Sequence, residues 1–201
     1  MSIQAQQLMK PVAILHYVFD SFQPGKVKMK TGEWFDQKLN YNTVTGEMIF
    51  EEEGKYLAIK APSQVDTVFI AGRKFIPVAK AFYELILKGK YPLFQEFTAK
   101  LNEPGASIGY GNASASTNAV SINLLRRNGQ AYEMKLPDEY LVVPSFTFWI
   151  LKDGKYQKAG NAKQLIAVFP AKKQWINDFI KTNNTDFLNR NDVLLLVQQL
   201  Q

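Results

Sequence analysis

Apolar and polar positions alternate over short runs along most of this chain, and a glycine interrupts the runs again and again. "EMIFEEEGKYLAIK", "DTVFIAGRKFIPV", "YELILKGKYPLF" and "FTFWILKDGKYQK" each read as strand, turn, strand. Their turns centre on Glu53-Gly54-Lys55, Ala71-Gly72-Arg73, Lys88-Gly89-Lys90 and Asp153-Gly154-Lys155, and Asn128-Gly129-Gln130 reads the same way. Glycine reaches the positive φ that a tight hairpin turn demands. From Val12 to Phe19 both alternating sets are apolar or aromatic, with Val12, Ile14, His16 and Val18 set against Ala13, Leu15, Tyr17 and Phe19. That pattern predicts a strand covered on both faces. Leu39 to Thr43 alternates more cleanly, with Asn40 and Asn42 opposite Leu39 and Tyr41. About ten to twelve strands are expected between Pro11 and Lys158, and such short connections make neighbours antiparallel.

After Gly160 the apolar period changes. Leu165, Ile166, Val168 and Phe169 fit a short helix, and Pro170 suits the first turn of the next. Trp175 with Phe179 and Ile176 with Ile180 make two i,i+4 pairs there. Asn183-Asn184 is expected to stop that helix. Asn189 or Asn191 then caps a last one, whose Val193, Leu196, Val197 and Leu200 form one stripe. The expected fold is α+β: an antiparallel, hairpin-rich sheet, half-barrel or sandwich-like, with C-terminal helices on one face or end. Residues 11–201 are expected to form a single domain, 11–160 a β-rich body and 161–201 a helical segment. About 40 residues of amphipathic helix have little core of their own. Residues 1–10 read as a trimmed signal-peptide remnant or a disordered N-terminus. "SIQAQQ" has small Ala5 before a Gln-rich start but lacks the charged and apolar regions of a whole signal.

Composition narrows the chemistry. Aromatic residues make up 13% of the chain, in keeping with packed β-structure. The net charge of +6 is spread out, with Lys55, Lys74, Lys90 and Lys155 in or beside turns and only short clusters at Arg126-Arg127 and Lys172-Lys173. Nucleic-acid binders concentrate charge on one face, so no nucleic-acid partner is expected. No apolar run approaches the roughly 18–20 residues of a transmembrane helix. The chain has no Cys, which removes thiol catalysis and thiolate metal sites, and His16 is its one histidine. A multi-histidine metal site is therefore out of reach, and His16 reads as structural. No serine sits in a Gly-x-Ser-x-Gly elbow.

"SIGYGNASASTNAVS", Ser107 to Ser121, invites a nucleotide-binding reading and fails it. The third glycine position of a dinucleotide fingerprint holds Ser114, no Gly-Lys-Ser/Thr follows, and the downstream residues are poor helix formers. No cofactor is expected. The stretch reads as a long surface loop, and its Gly109, Tyr110, Gly111 and Asn112 are the candidates for contact with a partner or ligand, because long loops are often functional. Trp34, Tyr41, Tyr110 and Trp149 are further aromatic candidates on an expected curved sheet. Among the carboxylates, Glu51-Glu52-Glu53 and Asp138-Glu139 read as solvated turn charges. Glu84 and Glu96 lie in apolar strands, and a glycosidase needs only two carboxylates.

"LNYNTVTGEMIFEEEGKYLAI", Leu39 to Ile59, resembles a segment of secreted proteins of Bacteroidetes-type bacteria, in which an N-Y-N…E-M-x-F strand is followed by a short glycine turn and a second strand. "IAGRKFIPV", "GYGNASAST" and "WILKDGKYQKAGNAKQLIAVFPAKKQWINDFIKTN" continue the likeness from Leu39 onward. The activity of that β-rich family is undefined, so the resemblance implies no catalytic residues. It implies export to the periplasm or cell envelope. The expectation is a non-enzymatic envelope-associated binding or interaction protein, with an envelope protein, peptide or glycan as partner. The alternatives are a carbohydrate-active enzyme using Glu84 and Glu96, and a purely structural component of an envelope assembly.

Overall fold

The computed structural model describes residues 16–102, 122–123, 125–136 and 140–201. Ten strands form one antiparallel sheet: β1 (Gln23–Met29), β2 (Trp34–Asn42), β3 (Glu47–Glu52), β4 (Lys55–Ala58), β5 (Val65–Ile70), β6 (Arg73–Val78), β7 (Ala81–Leu87), β8 (Leu93–Asn102), β9 (Leu141–Lys152) and β10 (Lys155–Lys158). Their spatial order is β10-β9-β8-β7-β6-β5-β1-β2-β3-β4. The sheet is therefore two meanders joined where β5 pairs with β1. The β3–β4, β5–β6 and β9–β10 hairpins turn on two residues each, Glu53-Gly54, Ala71-Gly72 and Asp153-Gly154, and all six have positive φ. That double left-handed turn matches the twist of the strands it joins.

Three prolines lie inside strands without costing a ladder bond. Pro24 lies beyond the reach of β5, whose pairing with β1 begins at Gly25. Pro77 pairs only with Phe82 of β7, and Pro144 only with Ala99 of β8. Each stands where its strand lacks a neighbour on the other side, as a residue without an N–H requires.

Direct cross-strand partners share a face. One row runs Val27, Val68, Phe75, Glu84, Gln95, Phe148 through β1, β5, β6, β7, β8 and β9, and all six side chains are buried. On the β1–β7 side of this face the sheet rolls inward on itself. Tyr41 of β2 stacks on Phe75 of β6 at 6.2 Å and meets Phe82 of β7 edge-on at 6.5 Å. With Val27, Leu39, Met48, Val65, Val68 and Ile70 these residues form one core. The half-barrel expectation describes this roll, and a second sheet is absent from the described residues.

On the β8–β9 side the same face is covered by helices α1 (Ala162–Val168), α2 (Lys173–Asn183) and α3 (Arg190–Gln198). The Asn161 side chain caps α1 and the Asn189 side chain caps α3, while Asn184 ends α2 in the left-handed region at φ 47°. Val193, Leu196, Val197 and Leu200 are fully buried against a core that includes Leu93, Phe148 and Ile150. Each such side chain contributes about 1.5–3 kcal/mol on leaving water. The helices thus complete a core that the sheet begins. Among the described residues no helix is long and apolar enough to cross a membrane.

Two expectations need correction. The strand read from Val12 to Phe19 lies partly outside the described residues, and residues 16–19 add a single bridge, Tyr17 to Asn42, with its two backbone bonds, Val18 N–H to Tyr41 O and Thr43 N–H to His16 O. From Gln23 onward β1 occupies that flank of β2, so the intervening chain bulges away. The buried Asn40 side chain supports the bulge, accepting from Phe19 N–H at 3.1 Å and donating to Phe19 O at 2.7 Å. The turn at Asn128-Gly129 joins no strands. Residues 125–127 are helical, and Gly129, at φ 73°, donates its N–H to Arg126 O before a 3-10 turn at Gln130–Tyr132. A left-handed glycine ends a helical turn as readily as it makes a hairpin.

Candidate functional site

The mouth of the rolled sheet is open. Alternation along β2 turns Phe35, Gln37 and Leu39 to the inner face while Trp34, Asp36 and Lys38 point outward, as the pairings Val27 with Phe35 and Gly25 with Gln37 require. Leu39 pairs with Phe50 of β3, and Phe50 with Leu57 of β4, so the inner face stays apolar to the edge of the sheet. The result is a cavity of about 1050 Å³ with a mainly apolar wall, to which Val27, Leu39, Phe50 and Val65 contribute. Phe35 and Leu57 line it too, yet they keep 49% and 40% of their surface in contact with solvent. These are large apolar side chains that folding leaves unsatisfied at a concave site.

The lip carries the polar groups. Gln37, Glu47, Lys60, Lys80 and Tyr132 line the cavity. Glu47 is engaged: the Tyr132 hydroxyl donates to its Oε2 at 3.1 Å, and Arg126 Nε lies 3.5 Å from the same oxygen. Burial, then the neighbouring Glu47 carboxylate, pushes the Tyr132 hydroxyl above its ordinary range. Tyr132 itself is held by a strap of main chain. Asn42 Nδ2 donates to Ala131 O at 2.7 Å, the Tyr17 hydroxyl to Tyr132 O at 2.7 Å, and His16 Nε2 to Glu133 O at 2.8 Å. Three successive carbonyls are thereby gripped by side chains from the other end of the chain. Burial lowers the His16 pKa, only partly opposed by the Glu133 bond, so the ring is neutral with its proton on Nε2. This is the structural role expected of His16.

Glu84 and Glu96 do not converge. Glu84 pairs with Gln95, so it shares the inner face, and the adjacent Glu96 points from the opposite one. Glu84 is 2% exposed and accepts four hydrogen bonds. Arg73 Nε and Arg190 Nη2 reach Oε1 at 3.0 and 2.8 Å, and Arg73 Nη2 and Arg190 Nη1 reach Oε2 at 2.6 and 2.7 Å. Burial alone would raise its pKa. The bonds from Arg190 and Arg73, with their charges, outweigh burial and hold the carboxyl below its ordinary value. A carboxylate so fully engaged ties α3 to β6 and β7. Glu96 accepts from Trp149 Nε1 at 2.8 Å within an outer-face aromatic group in which Tyr83 stacks on Trp149 at 5.5 Å. Burial, with Glu96 adding to it, pushes the Tyr83 hydroxyl up to about 12. A glycosidase pair is therefore not formed by these two residues.

The other sequence candidates are scattered. Gly109, Tyr110, Gly111 and Asn112 lie outside the described residues. Tyr41 is fully buried in the core, Trp34 stands on the outer face stacked on Phe69, and Trp149 belongs to the outer aromatic group. Sequence reading passed over the residues of the cavity. Their signal lies in β2, where "WFDQKL" puts an apolar residue on both alternating sets at the strand's exposed start. No family model, curated protein or solved structure matches the chain.

Proposed function

We propose that this chain is a non-catalytic binding protein that holds an apolar ligand in the mouth of its rolled sheet. The observation that carries the reading is the cavity itself. Its volume, about 1050 Å³, lies just above the range of about 300–1,000 Å³ common for small-molecule sites. Its wall is apolar, and two of its large side chains remain half in water. Binding modules place such sites where barrels open, with a few polar groups at the rim to orient what enters. The rim here has that composition. The engaged state of Glu84 and Glu96 supports a binding role over hydrolysis by that pair. The resemblance of Leu39 to Ile59 to secreted envelope proteins supports a site of action in the periplasm or envelope, which fractionation of native cells tests.

The binding test uses N-phenyl-1-naphthylamine, a neutral dye that brightens in apolar surroundings. The wild-type chain is expected to bind it at one saturable site. Phe35→Asp and Leu57→Asp place a charge on the wall at positions already half exposed, so the fold survives and dye binding is lost. A wild-type chain that leaves the dye dark, or variants that bind it unchanged, would overturn the reading.

A further inference from the structure

We infer that the ligand of this cavity is an amphiphile with an acidic headgroup, a carboxylate or a phosphate, held at the lip by Lys60 and Lys80. The inference rests on the binding reading above and names the ligand's chemistry. It starts from the charge left over at the lip. Three charged side chains line the cavity: Glu47, Lys60 and Lys80. The one anion among them is already committed to Tyr132 and Arg126. The two cations are exposed, and among the described residues neither makes an ion pair, a hydrogen bond or a ring contact.

On β1 and β2, the neighbouring strands that supply Val27, Phe35 and Gln37 to the cavity, every lysine is paired. Lys26 pairs with Asp36, Lys28 with Asp66 and Lys38 with Glu51, each across or beside its ladder. Lys60 and Lys80 come from two separate connections, one following β4 and one between β6 and β7. Their meeting at one cavity is thus a product of the roll of the sheet. The Gln37 side chain also faces the cavity, from β2, and offers a neutral amide. Two unpaired cations and an amide donor above an apolar wall complement an anion with a hydrocarbon body. A neutral apolar molecule would leave both charges unused, and a cationic one would meet repulsion.

Displacement of bound N-phenyl-1-naphthylamine tests this with four probes of equal chain length: hexadecanoate, hexadecyl phosphate, hexadecanol and hexadecyltrimethylammonium. At least one of the two acids is expected to compete about tenfold more strongly than the alcohol, the scale that two solvent-exposed charge contacts supply. The cationic probe is expected to be the weakest. Which acid is stronger distinguishes a carboxylate from a phosphate head. In Lys60→Gln/Lys80→Gln the acid preference, measured relative to that variant's own dye affinity, should fall to about twofold, and added salt should shrink the wild-type preference in parallel. Alcohol and acids competing equally in the wild type, or a preference that survives the double substitution, overturns the headgroup assignment alone. A wild-type chain that binds no dye overturns the cavity reading and this assignment with it.

Discussion

Replacing Glu84 by Gln should destabilise this protein far more than the same change at Glu96, one strand away. The substitution keeps the shape of the side chain but turns one of its two oxygens into an NH2 group. That end then faces two arginine N–H donors, so two of the four hydrogen bonds are lost outright and the other two keep a charged donor but lose the carboxylate's charge. A net contribution of about 1.5–3 kcal/mol per charge-assisted bond sets the loss at about 3–6 kcal/mol before relaxation. Arg73 and Arg190 are 27% and 41% exposed, so both recover part of this by turning toward water. About 2–4 kcal/mol remains. In Glu96→Gln the new amide oxygen still accepts from Trp149, and the cost should stay below about 1 kcal/mol. Urea unfolding at pH 7, followed by circular dichroism, measures both. The pH dependence gives a second reading. The folded-state pKa of Glu84 lies below the unfolded value of about 4.3, so its stabilisation is complete above that value and disappears as pH falls through the folded one. The gap between wild type and Glu84→Gln should therefore narrow in acid. A gap under about 1 kcal/mol at pH 7, or one unchanged at pH 3, would refute the account of Glu84 as the charged link between sheet and helix.

Three further changes probe the frame around the cavity. Ala71 holds φ 48° in the β5–β6 turn, a region where alanine is strained and asparagine is at ease. Ala71→Asn should add about 0.5–1 kcal/mol and raise the melting temperature, and a lower melting temperature would contradict the turn geometry. At Gly25 a Cβ would stand 2.5 Å from the carbonyl oxygen of Phe69 and 2.9 Å from Leu39 Cδ1. Gly25→Ala should cost about 1–3 kcal/mol in urea unfolding, because backbone in the middle of a sheet has little room to move. Asn40→Ala strips the bulge of its support and leaves the partly buried N–H and C=O of Phe19 without these partners. A loss of about 2–4 kcal/mol is expected, with faster amide exchange at Val18 and Phe19.

The hairpins were legible because a positive φ leaves its mark locally, as glycine after glutamate, alanine or aspartate. Asn128-Gly129 misled for the same reason, since the local conformation it encodes serves helix ends as well. The last helix was legible to within two residues of its cap, Asn189 rather than Asn191, because the cap and the stripe from Val193 to Leu200 lie within a dozen residues of each other. What sequence could not supply was pairing at a distance. Nothing near Glu84 announces Arg190, and nothing near Met29 announces Val65. The cavity was hidden for a related reason. Phe35 and Leu57 are unremarkable in their own strands, and Lys60 and Lys80 look like ordinary turn lysines until the roll of the sheet sets them at one mouth.

The order of the strands also prescribes an order of assembly. From β5 to β10 each strand lies outward of its predecessor, so the sheet extends at one growing edge in the direction of chain synthesis. Two steps close long stretches of chain, β5 onto β1 and β9 onto β8, and such non-local pairings are the slow ones. In the first, β2 to β4 are able to fold locally beforehand and shorten the gap to be closed. The rolled half is thereby expected to mature early, with pulse-labelled hydrogen exchange showing β1–β7 protected before α3. Glu84 spends that interval held by Arg73 alone, and the arrival of Arg190 completes its shell. The mouth of the cavity, built mainly from the first strands, would then be finished before the helices that close the far side of the same sheet.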